Sequence, residues 1–168
     1  MNAQTSIQVG VTQGAVWVRV EGKGNFQNST SLKDFAREMV ARGHKRFVID
    51  LQCCPLMDST FMGTLAGIAL KLHGPEQGFV DIINMNDRTR SLLSNLGLDQ
   101  LLRLQPLSEV STDAPAETKA LYLEPCDKLT QAATMLEAHE AVVEANPQNE
   151  AKFKDVLEYL RQDLEVKP

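Results

Sequence analysis

A short run of polar residues, Asp58-Ser59-Thr60, stands between two apolar segments and could do chemistry that uses hydroxyl groups. It follows the buried-looking strand 47–51 and precedes the uncharged run 61–70, so both hydroxyls fall where a helix should begin. The first amides of a helix have no partner within the helix and carry the positive end of its dipole, so a side-chain oxygen or a phosphate can bind there. The spacing therefore indicates a phosphorylatable switch.

The same three residues have a simpler interpretation. Asp, Ser and Thr are the usual N-caps of helices, and most such triplets before a helix only cap it. The triplet alone leaves capping and phosphorylation both open.

Three stretches of the chain, in order and suitably spaced, resemble the sulphate-transporter and anti-sigma-factor-antagonist domain, known as the STAS domain. Residues 47–63 look like that family's strand, loop and Asp-Ser-Ser/Thr-Gly phosphorylation motif. Residues 18–26 are similar to the turn after its second strand, and residues 96–104 to its link from the third helix into the last strand. The resemblance implies an α/β fold, a STAS-like mixed β-sheet covered by helices.

The resemblance also implies a mechanism. In antagonists of this family, the unphosphorylated domain binds a serine/threonine kinase that otherwise restrains a sigma factor, and phosphorylation of the hydroxyl after Asp-Ser abolishes that binding. Carried over by motif position, the phosphoacceptor is Thr60, with Ser59 as the fallback. The partner-binding residues expected from the motif and from the turn after the second strand are Asp58, Ser59, Phe61, Met62, Gly24, Asn25 and Phe26.

Two positions depart from the family pattern. Phe61 stands where the family has a glycine after the acceptor; this bulky side chain changes the approach of a kinase to Thr60 or adds an apolar anchor for a partner. Asn25 and Phe26 stand where the family often has Leu-Asp.

Two functions follow as hypotheses. The first is a phosphoprotein that regulates transcription as an anti-sigma-factor antagonist, controlled at Thr60. The alternative is a constitutive STAS scaffold or accessory subunit, as in stressosome-like or lipid-transport-like assemblies, in which Thr60 is only a cap.

Composition narrows the function classes. A chain of 168 residues that is 43% hydrophobic can bury one sizeable core. With 17 basic and 22 acidic residues its net charge is −5, so we expect a protein partner and no nucleic acid. The composition does not decide whether the chain also forms a homodimer. The first residues lack the pattern of a secretion signal, and no apolar run reaches the ~20 residues of a membrane span, which predicts a cytoplasmic protein without membrane insertion.

No enzyme, metal site or cofactor is expected. The three cysteines form no Cys-x-x-Cys pair. The single histidines, His44, His73 and His139, have no ligand spacing among themselves or with the cysteines.

Two further features are interpreted as structural. Asp50 is interpreted as a strand-end residue, and Gly63 and Gly67 as a helix face packed closely on the sheet.

Periodicity divides the chain into a STAS-like domain (1–107), a polar linker (108–118) and a mainly helical extension (119–168) packed on or beside the domain. In the domain we predict a hairpin turning at Gln13-Gly14, and a helix capped within 28–31 and ended by Gly43. The other predicted strands are 47–51, 79–83 and 101–104, and the other helices are 59–73 and 87–96. In the extension we predict a short strand at 120–123, a helix at 127–145, and a break at Pro147 before a last helix. The last helix carries an apolar stripe that packs on its neighbours or forms a dimer or partner surface: Phe153, Val156, Leu157, Leu160 and Leu164.

Overall fold

The fold is a six-stranded mixed sheet with five helices, seen in a computed structural model that describes residues 5–74, 77–105 and 114–165. The strand order across the sheet is β5-β4-β3-β2-β1-β6. The strands are β1 (Ser6–Thr12), β2 (Ala15–Glu21), β3 (Arg46–Asp50), β4 (Phe79–Ile83), β5 (Arg103–Leu104) and β6 (Lys119–Ala120). The helices are α1 (Phe26–Ala41), α2 (Ser59–Leu72), α3 (Asp87–Asn95), α4 (Lys128–Ala145) and α5 (Asn149–Glu165).

The predicted hairpin is present. β1 and β2 pair antiparallel, and the turn residues Gln13 and Gly14 have φ angles of 50° and 80°. Two positive φ angles in a two-residue turn match the right-handed twist of the flanking strands, which is why a glycine is favoured there.

Strands β2, β3, β4 and β5 run parallel, and α1, α2 and α3 make the crossovers between them. The carboxyl ends of parallel strands lie at one edge of the sheet. The loops after β2 and β3 therefore meet, and an isolated parallel bridge joins Gly24 to Met57. This edge places the polar triplet beside the start of α1.

Helix α1 begins earlier than predicted. Residues 28–31, expected to cap it, lie inside the helix, and the N-cap is Asn25. The Asn25 side chain accepts a hydrogen bond from the Gln27 N–H, and the Asn28 side chain accepts one from the Asn25 N–H. The prediction was wrong because several residues here are good N-caps, and this reciprocal capping box selects the first of them.

The main core lies between one face of the sheet and the helices. Its fully buried large side chains come from strands and helices alike, among them Phe47, Ile49, Phe61, Leu65 and Leu93. A smaller buried cluster on the opposite face contains Ala15, Trp17, Val48 and Ile83. Pro115 and Glu117 lie against Gly10 of β1.

The C-terminal part adds to both the sheet and the helical layer. Strand β6, shorter than the predicted 120–123 strand, pairs antiparallel with β1, while α4 packs on α2 and α5 packs on α4. In the predicted apolar stripe of α5, Leu157 and Leu160 are buried, whereas Val156 is 41% exposed. Residues 108–113 of the predicted linker lie outside the described residues.

Candidate functional site

Asp58 is the N-cap of α2 and contacts two helices. Its Oδ1 accepts a hydrogen bond from the Phe61 N–H at 2.8 Å, and its Oδ2 accepts one from the Phe26 N–H at 3.0 Å. Phe26 is the first residue of α1, so one carboxylate satisfies free amides at two helix N-termini. The negative charge also lies at the positive ends of both helix dipoles.

Backbone hydrogen bonds join the loop before α1 to the loop before α2 beside this carboxylate. The Gly24 N–H donates to the Leu56 carbonyl at 3.0 Å, and the Asp58 N–H donates to the Gly24 carbonyl at 2.9 Å. A Cβ added to Gly24 would lie only 2.7 Å from Cδ1 of Phe61. The absence of a side chain at position 24 therefore makes room for the ring at position 61.

The expected partner-binding residues divide into two groups. Phe61 is fully buried, and Met62 and Gly24 are also buried. Phe61 is thus a core residue in this structure, and its ring presents no exposed surface to a partner or a kinase in this conformation. The other residues are half-buried and line the surface where the two helix N-termini meet; we call them the paired helix ends: Asn25, Phe26, Asp58 and Ser59.

The two hydroxyls of the triplet have different environments. Thr60 is only 3% exposed, and its carbonyl accepts a hydrogen bond from the Thr64 hydroxyl. The Ser59 hydroxyl lies 2.9 Å from Nε2 of His139 in α4. The other ring nitrogen of His139, Nδ1, lies 2.6 Å from the carbonyl oxygen of Met135, which can only accept. A neutral His139 therefore carries its proton on Nδ1, and its Nε2 accepts the bond from Ser59.

Helix α4 crosses α2 one turn beyond this hydrogen bond. A Cβ on Gly63 would collide with the backbone carbonyl of Ala138, whereas a Cβ on Gly67 would lie 3.8 Å from Cβ of Ala141. The two glycines thus face α4, and the prediction that they pack on the sheet was wrong. The close approach requires a glycine only at position 63.

Helix α4 also contacts α1 through polar groups. The hydroxyls of Thr30 and Thr134 lie 2.8 Å apart and are buried, and Nζ of Lys33 lies 3.1 Å from Oε2 of Glu137. The three helices leave a cavity of about 30 Å³ between them. The side chains of α4 that are buried are mostly small or polar: Ala132, Thr134, Ala138, His139, Ala141 and Val142.

Comparison with known families identifies the domain that carries this site. Residues 6–113 match the STAS domain, which is more than half of the chain. The chain belongs to the STAS domain family. The match covers strands β1 to β5 and helices α1 to α3 and stops before α4. A comparison with curated proteins gives no match.

Several solved structures have a similar fold. An anti-sigma factor antagonist from Mycobacterium paratuberculosis is 26% identical with a TM-score of 0.55; the match covers 61% of this chain and 86% of that protein. A putative anti-sigma factor antagonist from Thermotoga maritima is 18% identical with a TM-score of 0.55, over 60% of this chain and 87% of that one. The Bacillus cell fate determinant SpoIIAA in its phosphorylated form is 18% identical with a TM-score of 0.51, over 61% of this chain and 94% of that one.

Asp50, at the carboxyl end of β3 in this STAS domain, is fully engaged in structural contacts. Its carboxylate accepts hydrogen bonds from the Gln52 N–H and the Asn84 side chain and forms an ion pair with Arg19 at 3.4 Å. These contacts agree with its interpretation as a strand-end residue.

Sequence reasoning missed His139, Ala138 and Lys33, which lie at the contact between the STAS helices and α4. His139 is 80 residues from Ser59 in the chain and has no ligand-like spacing, so no signal in the sequence could have paired the two. In the described ranges, no three His, Cys, Asp or Glu side chains come together as a metal site, and no helix has the length and apolar character to span a bilayer.

Proposed function

We propose that this STAS protein is a regulatory protein-binding module of the anti-sigma-factor-antagonist kind, and that its partner docks on the paired helix ends. The observation that supports this most is the Asp58 carboxylate, which joins the N-termini of α1 and α2 into one surface. A surface that combines four half-buried residues from two separate loops is positioned rigidly by the sheet beneath it, as recognition requires.

Thr60 is the proposed phosphoacceptor, with Ser59 as the second candidate. A phosphate adds about −1.5 to −2 charges at neutral pH. The domain itself tolerates that charge at a helix N-terminus, where free amides and the dipole favour an anion by ~0.3 to 1 kcal/mol. A partner docked against a neutral hydroxyl beside Asp58 would instead face a buried, unpaired dianion, and the complex would dissociate.

The proposed partner is a serine/threonine kinase of the anti-sigma type. This proposal is supported by the 26% identity with the Mycobacterium antagonist over most of that protein's length. In this scheme the unphosphorylated chain binds the kinase, which thereby releases its sigma factor.

The second candidate function is a constitutive STAS scaffold or accessory subunit, in stressosome-like or lipid-transport-like assemblies. A specific observation favours it: Thr60 is 3% exposed and the Ser59 hydroxyl is bonded to His139. A kinase needs an accessible hydroxyl, and in this conformation neither hydroxyl is free.

The first test is site-resolved mass spectrometry of the protein isolated from its own cells under several growth conditions, with phosphatases inhibited. The switch predicts phosphate on Thr60 or Ser59 that varies with condition. If both hydroxyls stay unmodified with good peptide coverage, the scaffold replaces the switch.

The second test compares two substitutions of the buried threonine, because any larger residue there disturbs the packing. Thr60→Glu adds size and charge, whereas Thr60→Gln adds nearly the same size without charge. The switch predicts that Thr60→Glu weakens binding to the kinase, measured by calorimetry, well beyond any loss in Thr60→Gln. Equal affinities of the two variants would show that charge at this position does not control binding.

A further inference from the structure

A groove of about 850 Å³ lies beside the start of α1, next to the paired helix ends. The turn after β2 and the first turn of α1 contribute Lys23, Asn25 and Gln27 to it, and the segment between β6 and α4 contributes Leu123 and Pro125. We propose that this groove binds an extended polypeptide segment of the protein that docks on the paired helix ends. The inference deepens the proposed function and rests on it for the kind of partner.

The groove continues the proposed partner surface. Asn25 belongs to both, because it is one of the four residues of the paired helix ends and it also lines the groove. The groove residues between 123 and 131 lie beyond the family match at 6–113, so the STAS domain alone does not form the groove. A partner that covers the paired helix ends can therefore place a further segment against the C-terminal part of this chain.

Hydrogen bonds fix both contributing segments in the free chain. The Lys23 carbonyl accepts hydrogen bonds from the Asn28 side-chain amide at 3.1 Å and from the Thr5 hydroxyl at 3.3 Å. The Glu124 N–H donates to the Ser31 hydroxyl of α1 at 3.0 Å. A groove that already has its shape loses little conformational freedom when a ligand enters it. The volume of about 850 Å³ also lies in the range of ligand sites in proteins.

The groove offers unused hydrogen-bonding groups of both kinds. In the described ranges, the side chains of Gln27 and Gln131 line the groove and form no hydrogen bond, and the Asn25 side chain uses only its oxygen, which accepts from the Gln27 N–H. A side-chain carboxamide both donates and accepts. An extended peptide presents backbone N–H and C=O groups in alternation along its edges, so these side chains can bind its main chain.

The charge of the groove favours a polypeptide over a polyanion. Among the described residues that line it, Lys23 is the one cation and Glu124 the one anion, so their charges cancel. A nucleic acid would need a surplus of positive charge. Pro55, Leu123 and Pro125 add apolar surface against which a side chain of the partner can pack. The expected segment is therefore extended, has little net charge and carries an apolar side chain.

The test uses the purified full chain and a phage-displayed library of random dodecapeptides as the probe. Cys126 lines the groove, and its half-buried thiol serves as a reporter of occupancy. Cys53→Ser removes the exposed thiol, and Cys54 is buried. Each enriched peptide is synthesised, and the alkylation rate of Cys126 is measured by mass spectrometry with and without it.

A peptide that lies in the groove should protect Cys126. At about ten times the Kd of the peptide, alkylation should slow about 10-fold, because only the unoccupied fraction reacts. Peptides that bind without slowing alkylation, or a library without enriched peptides, would overturn the proposal. The selection is repeated on a chain without residues 1–4, and enrichment seen only there would assign the groove to the chain's own first residues and overturn the proposal as well.

Substitutions in the two contributing segments check where the peptide binds. Gln131→Arg in α4 and Gln27→Arg in α1 each replace a carboxamide of the groove by a bulky cation without an acceptor, and each should weaken peptide binding about 10-fold. Gln27 is exposed, so its variant keeps the test valid if Gln131→Arg disturbs the fold. Gln162→Arg makes the same change on the exposed side of α5 and is the matched control. Wild-type affinity in both groove variants would contradict binding in the groove.

These measurements need no kinase and no phosphate, so they separate the inference from the proposed function. Peptides that protect Cys126, in a chain that binds no kinase of the anti-sigma type, would keep the groove and remove the proposed partner. Kinase binding that Gln27→Arg and Gln131→Arg leave unchanged, together with no protecting peptide, would do the reverse.

Discussion

The carboxylate of Asp58 accepts a hydrogen bond from the backbone N–H of Phe26 at 3.0 Å, across 32 positions of the chain. Asp58 therefore has a structural role within the chain itself. It connects the loop after β2 to the start of α2, and both of its oxygens are used.

Replacement of Asp58 should show this double role as a loss of stability. Asp58→Ala removes the N-cap of α2 and leaves the Phe26 amide without its partner, and we expect the free energy of unfolding to fall by about 2 to 3 kcal/mol. Asp58→Asn keeps one acceptor oxygen and should lose about half as much. Urea denaturation followed by circular dichroism measures both, and wild-type stability in Asp58→Asn, whose oxygen still caps α2, would mean that the bond to Phe26 adds nothing.

Gly24 should not tolerate a side chain, because the fully buried ring of Phe61 lies where its Cβ would be. Gly24→Ala should lower the free energy of unfolding by about 1 to 3 kcal/mol, the usual cost of overpacking. Gly74→Ala is the control, since its Cβ would meet no atom within 4 Å. In a double-mutant cycle with Phe61→Leu, the smaller side chain should recover part of the loss, whereas additive losses would exclude the contact as the cause.

The sequence predicted the domain's elements well because each has a local signal. The strand at 79–83 and the first residue of α2 were found as predicted, since β-branched runs and N-cap residues act over a few positions. The start of α1 was missed because Asn25 and the residues 28–31 are all suitable caps. The role of Gly63 depends on its contact with Ala138 of α4, and no local pattern reports a contact between segments so far apart in the chain.

The reactivity of Cys54 should differ from that of its neighbour. Burial raises the pKa of the Cys54 thiol above 9.0, partly offset by backbone hydrogen bonds with Gly24 and Leu56, and its side chain is 1% exposed. Cys53 is exposed. Alkylation with mass spectrometry should therefore modify Cys53 in the folded protein and Cys54 only after urea is added; equal rates would contradict the burial.

The raised pKa of Cys54 also gives a pH dependence. As the pH passes 9.0, the thiol ionises first in the unfolded chain, which stabilises the unfolded state. The free energy of unfolding should therefore fall with rising pH more steeply in the wild type than in Cys54→Ala, between about pH 8 and 10. Parallel curves from urea denaturation would exclude this ionisation as a contributor.

The hydrogen bond between Ser59 and His139 should contribute measurably to the docking of α4. Each residue also has contacts of its own, such as the edge-on contact of His139 with Phe153 at 5.1 Å, so single substitutions overstate the bond. A double-mutant cycle of Ser59→Ala and His139→Ala cancels those other losses, and we expect a coupling of about 1 kcal/mol between the two side chains. Losses that add within about 0.3 kcal/mol would show that the Ser59 hydroxyl is satisfied equally well by water, in which case this bond does not contribute to the docking of α4.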